Sequence, residues 1–169
     1  KDANYLPGFP VALNHTSFAP VSIINQNQNK EIVVTAANKV FRISHTGEIL
    51  STFISEGNIR VSPVIYDQNF DGELDIIFST QTGKVYSLKS DGQTLNEHFP
   101  ISFDAAIVSP IAVGKSGYIY LAANNELLHS VSPDGQVNDT APFPYNYRGV
   151  SMNGPIVISD LEGNEENII

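Results

Sequence analysis

Apolar and polar positions along this chain fall into short runs that group in fours and then recur. Between residues 61 and 107, Pro63-Val64-Ile65-Tyr66 forms an apolar run that stops at Asp67. Asp75-Ile76-Ile77-Phe78-Ser79 follows, and Thr82-Gly83 turns the chain into Lys84-Val85-Tyr86-Ser87-Leu88. Ser90-Asp91-Gly92 turns it again before a weaker run from Leu95 to Ile101. Runs of this length, rich in β-branched and aromatic residues and bounded by Asp-Gly or Thr-Gly, predict strands joined by hairpins. The preceding group repeats the order as Ala19 to Ile24, Glu31 to Thr35, Val40 to Ile43 and then Gly47. The following group has Pro110 to Val113, Tyr118 to Ala122, Leu127 to Val131 and Asp134-Gly135. No stretch of meaningful length carries a helical period.

Three markers keep one beat. The prolines of Phe18-Ala19-Pro20, Val61-Ser62-Pro63, Val108-Ser109-Pro110 and Asn153-Gly154-Pro155 are 43, 47 and 45 residues apart. Gly47, Gly92 and Gly135 follow at 45 and 43. Phe9-Pro10, Phe99-Pro100 and Phe143-Pro144 are spaced 90 and then 44, and the unit skipped by the long gap has Phe53-Ile54 instead. Four strands in about 45 residues is the size of a β-propeller blade. The predicted fold is all-β, in blades of four antiparallel strands: three complete blades at 18–60, 61–107 and 108–152. Residues 1–17 end a preceding blade and 153–169 begin a further one. That count leaves a ring open, so the expectation is completion by another chain or by sequence beyond this one.

Composition narrows the partners. The 18 acids against 9 bases give a formal net charge of −9, unsuited to a phosphate-backbone partner, so no nucleic acid is expected. No run approaches the roughly 20 apolar residues of a membrane span. The chain has no cysteine, which removes disulfides, thiolate metal sites and cysteine nucleophiles together. It opens Lys1-Asp2-Ala3-Asn4, so the expectation is that any signal segment has been removed or that the chain starts inside a longer protein. With many Asn and a sequence pI near 4.7, the expectation is an extracellular, cell-surface or periplasmic protein.

The densest chemistry lies between the first two strands of the middle group. Asp67-Gln68-Asn69-Phe70-Asp71-Gly72-Glu73-Leu74-Asp75 reads D-x-N-x-D-G-x-x-D. Alternate side chains of a tight loop turn inward, here Asp67, Asn69 and Asp71. Gly72 makes the turn, the Glu73 carbonyl fills the seventh position and Asp75 closes the ninth. Such a set offers oxygen only, as a hard divalent cation requires, so the expected cofactor is Ca2+. An EF-hand needs a bidentate Glu at position twelve, where this chain has Phe78 inside a strand. A plain solvated acidic turn is the alternative. Against it, carboxylates about 5 Å apart repel by about 1 kcal/mol per pair even in water.

These residues resemble the FG-GAP/VCBS-type repeat of bacterial surface propellers and integrin-like heads. The flanking phrases Asp75-Ile76-Ile77-Phe78, Gly83-Lys84-Val85-Tyr86-Ser87-Leu88 and Asp91-Gly92 fit it too, as does Leu6-Pro7-Gly8-Phe9-Pro10-Val11. The resemblance implies calcium as a structural staple within a blade rather than a catalyst. Its motif is intact once. The first blade has Asn25-Gln26-Asn27-Gln28-Asn29-Lys30-Glu31, and the third has Gly114-Lys115-Ser116-Gly117 with no ligand left. Asp160 to Asn167 is one residue short of the pattern, which leaves open whether it binds a cation.

No G-x-S-x-G elbow, phosphate-cradling glycine loop or H-E-x-x-H helix is present. His45 and His98 sit beside turns, where surface positions are expected. Quinone-dependent dehydrogenases share a similar blade with a Thr-Gly-Lys turn, but their repeats lock through tryptophan, absent here. The Phe143, Tyr145, Tyr147 and Arg148 group suits packing in an outer strand, or an interface. The expected function is a non-catalytic calcium-binding module that recognises a protein or glycan ligand. The alternative is the propeller part of a secreted polysaccharide-degrading hydrolase or lyase.

Overall fold

A computed structural model of the chain describes residues 5–26, 29–149, 154–159 and 167–168. Among them every regular element is a strand, and none is a helix that could cross a membrane. The first sheet runs in order β1 (Ser22–Gln26), β2 (Asn29–Ala36), β3 (Lys39–Ser44), β4 (Ile49–Ile54). The second is β5 (Val64–Tyr66), β6 (Asp75–Ser79), β7 (Lys84–Leu88), β8 (Ile101–Ser102). The third is β9 (Ala112–Val113), β10 (Ile119–Ala123), β11 (Leu127–Val131), β12 (Val137–Asn138), with β13 (Tyr145–Asn146) also paired to β11. A hairpin of β14 (Ile158–Ser159) and β15 (Asn167–Ile168) follows. All pairings are antiparallel and, apart from β13 on β11, join sequence neighbours, as in propeller blades.

The outer strand is where expectation and structure part. In the second blade, Leu95 to Ile101 is not one strand. Thr94 bridges to Leu88, the chain bulges away, and pairing resumes only at Ile101 opposite Val85. The third blade does the same with β12 and β13, which share one edge of β11. Each outer strand resumes immediately after a Phe-Pro pair, Phe99-Pro100 and Phe143-Pro144. The first blade lacks the pair, and its β4 is continuous over six residues with one register shift between Arg42 and Ile43. The N-terminal segment expected as a last strand forms no ladder among the described residues, although Val11 and Leu13 pack on the first blade.

Face-to-face burial joins the sheets. In β6 all five residues are buried, because each face of that sheet has a neighbour. Ile76 and Phe78 meet Ile24, Val33 and Val40 of the first blade. Ile77, between them, turns to Ile111, Ile119 and Leu121 of the third. Alternation of side chains along the strand thus serves two interfaces. Phe78 stacks on Tyr86 at 4.9 Å between ring centroids, and Phe53 stands edge-on to both. The inner strands neighbour one another, and Ser22 Oγ donates to the Pro63 carbonyl at 2.6 Å.

One backbone bond recurs at each joint. Ala37 N–H donates to Thr16 O, Gln81 N–H to Asn58 O and Asn124 N–H to Ala106 O, at 3.0, 2.9 and 2.9 Å. In every case the connector entering a blade is tied to that blade's central hairpin. A second tie appears only with the Phe-Pro marker. Asn96 and His98 reach the Asp134 carbonyl, and the Phe99 ring lies against Gly135. Gly8 lies in the same way against Thr46 and Gly47. Between the first two blades the marker is absent and Gly92 faces open space.

That contrast gives a controlled prediction. Gly92 and Gly135 share φ values of +86° and +91°, so alanine at either is strained by about 1 kcal/mol. Only at position 135 would the new Cβ lie 2.8 Å from His98 Cβ. Gly135→Ala is expected to destabilise by about 1–3 kcal/mol more than Gly92→Ala in urea unfolding. Equal costs would show that the Phe-Pro segment does not dock.

Candidate metal loop and recognition cleft

The loop between β5 and β6 is folded around its own oxygens. Asp67 accepts from the N–H groups of Asp71 at 3.0 Å and Gly72 at 2.9 Å. Asn69 Oδ1 accepts from the same Asp71 N–H at 3.2 Å, and its Nδ2 donates to Asp71 Oδ2 at 2.8 Å. Asp71 Oδ1 accepts from Glu73 N–H at 2.9 Å. Asp67, Asn69 and Asp71 therefore converge on one turn, with Phe70 at φ 59° and Gly72 at φ 90° carrying the chain round. The Asn69 and Glu73 hydrogen bonds hold the Asp71 carboxyl below the usual carboxylate range.

Asp75 stands apart. Its side chain is 1% exposed, and Oδ2 accepts from Gln68 N–H at 2.9 Å. Burial pushes its pKa up to about 6 against the pull of that hydrogen bond, and the charges of Asp71 and Asp67 push it further. Among the described residues, no three His, Cys, Asp or Glu side chains stand ready to hold a metal ion. The donor set still suits a hard cation, being all oxygen, and Asp75 is a buried carboxylate crowded by like charge. The Glu73 side chain is exposed, in keeping with a backbone role. The tail loop, from Asp160 to Glu166, lies outside the described residues, as do Lys1–Asn4 and Asn153.

Of the histidines, His15, His45 and His98 are exposed, while His129 is buried beside Phe103 and its pKa is lowered by that burial. In the aromatic group, Tyr147 OH donates to Ala123 O at 2.7 Å, Phe143 leans on Tyr120, and Tyr145 is 55% exposed.

At the opposite end of the blades, where the inner strands begin, lies a cleft of about 370 Å3. It is lined by Asn14, His15, Phe18, Asn58 and Arg60. The Arg60 guanidinium sits 4.0 Å above the Phe18 ring centre, and its Nε donates to Gln81 Oε1 at 3.2 Å. Sequence patterning alone did not single it out, yet the repeat held the signal. Phe18 stands where the other blades have Val61 and Val108, and it is 59% exposed against 6% for Val61. Arg60 stands where the third blade has the buried Ile107.

The sequence matches no protein-family model and no curated protein sequence. Solved structures do match. The computationally designed Ika4 protein aligns with a TM-score of 0.65 at 14% identity, over 99% of this chain and 98% of that one. BBS1N, solved in complex with ARL6DN, aligns at 0.55 and 15% identity, over 70% of this chain and 36% of that one. BamB from Moraxella catarrhalis aligns at 0.57 and 12% identity, over 74% and 36%. The chain thus spans about a third of BBS1N and of BamB. At such identities the likeness establishes the fold, which is β-propeller-like.

Proposed function

We propose that this chain is a propeller module for recognising a protein partner, stapled by one calcium ion in the Asp67–Asp75 loop and belonging to the FG-GAP/VCBS type. The observation that carries recognition is the Phe18–Arg60 cleft. Aromatic residues and Arg are among the types enriched at protein interfaces, and a guanidinium over a ring is held by cation–π attraction. Neither residue is needed by the repeat, which manages with Val and Ile at the matching places. Arg60 has no carboxylate partner among the described residues, in a chain with twice as many acids as bases. A partner offering a carboxylate beside an apolar contact fits it. BBS1N, a relative in fold, was solved with a protein bound. Calcium at the other end would hold the scaffold rigid, and loops of this charge suit the high free calcium outside cells.

The test compares proteins retained by the wild type, by Arg60→Glu at the cleft, and by Gln93→Glu at the metal-loop end. Loss of the retained partners in Arg60→Glu, by tenfold or more, with retention in Gln93→Glu, is the expected outcome. The same partners retained by both variants would rule the cleft out.

A further inference from the structure

The Asp67–Leu74 loop is gripped from both sides by the corresponding loops of the neighbouring blades. From the first blade, Gln26 Nε2 donates to the Gly72 carbonyl at 2.5 Å, and its Oε1 accepts from the Leu74 N–H at 3.3 Å. The two contacts fall on either side of Glu73. On the side of the third blade, Tyr66 OH donates to the Lys115 carbonyl at 2.9 Å. Gly117 backs so closely onto the Gln68 carbonyl that a Cβ there would lie 2.5 Å from it. Gln68 itself is fully buried.

These gripping segments are the ones in which the acid pattern has been replaced: Asn25-Gln26 in the first blade and Gly114-Lys115-Ser116-Gly117 in the third. From this geometry we infer that Gln26 is a positioning residue for the cation loop of the next blade. By holding the peptides before and after Glu73, it fixes the direction of the Glu73 carbonyl, which is the one backbone ligand of the set. The inference rests on the calcium reading of that loop. An acid at position 26 could bind a cation of its own blade but could not donate to Gly72 O; the amide does both halves of the grip. Loss of ligands in one loop and gain of a clamp on its neighbour are then one change. Calcium binding and the joint between the first two blades become coupled, because the same residue serves both.

Calorimetric titration of the intact chain with calcium chloride tests this, using wild type, Gln26→Ala and, as a control one residue away, Asn25→Ala. Asn25 is exposed. Outer-shell partners of metal ligands typically contribute about 10–100-fold in affinity. Gln26→Ala is expected to raise the calcium dissociation constant about tenfold or more, while Asn25→Ala leaves it unchanged. Melting in excess chelator should shift little for Gln26→Ala, since a partly exposed side chain is lost. Unchanged calcium affinity in Gln26→Ala, against a wild type that binds, overturns the positioning role alone. A wild type that takes up no calcium overturns both that role and the calcium reading.

Discussion

Asp67→Ala is expected to abolish the calcium-dependent rise in melting temperature. The wild type at calcium a hundredfold above its dissociation constant gains about 2.7 kcal/mol, which for a chain of this size is roughly 5–10 °C. Asp67 is the substitution of choice because both its oxygens are engaged in shaping the loop, on Asp71 N–H and Gly72 N–H. The effect also has a pH signature set by Asp75. Its folded-state pKa of about 6 lies above the ordinary carboxylate value, so between about pH 4 and 6 the folded chain keeps a proton that the unfolded chain has lost. Calcium-free stability should therefore fall as pH rises through that window, by up to about 3 kcal/mol. Calcium competes with this proton, so its stabilisation is small near pH 4 and complete above about pH 7. Asp75→Asn should flatten the calcium-free profile. A stability that rises from pH 4 to 6 in chelator, with no difference between wild type and Asp75→Asn, would contradict the assignment.

Phe78→Ala carries the largest expected loss. The ring is fully buried between the first two blades and stacks on Tyr86, so truncation should cost about 3–5 kcal/mol. Ile77→Ala, one residue earlier, removes contacts with the third blade instead and should cost about 2–5 kcal/mol. Urea unfolding of each measures the two joints separately. If a single face held the sheet, one of the neighbouring truncations would be tolerated at well under 1 kcal/mol.

The strands of the three blades and their grouping were legible because each has a local cause. Period-two alternation, hairpin glycines and a fixed marker spacing are written in consecutive residues. β6 illustrates what was not. Asp75 to Ser79 reads as a short apolar run, and only its two neighbours explain why Ile76 and Ile77 are both fully buried. The outer strand of the second blade was misplaced for a similar reason. Leu95 and Phe99 are apolar because they fill the second interface, not because they pair along β7. Gln26 offered no signal of its own, since a glutamine between amides looks like a solvated loop until Gly72 and Leu74 are placed beside it. Phe18 and Arg60 could have been found by asking which positions break the repeat.

Amide hydrogen exchange on the intact chain tests most directly whether the sheets stand side by side as docked blades. The N–H groups of Ala37, Gln81 and Asn124 each tie the connector entering a blade to that blade's hairpin, outside any sheet ladder. They should exchange nearly as slowly as the central strands β2, β6 and β10. If these three exchange at the rate of exposed loops while the strands stay protected, the blades fold without docking and the account fails.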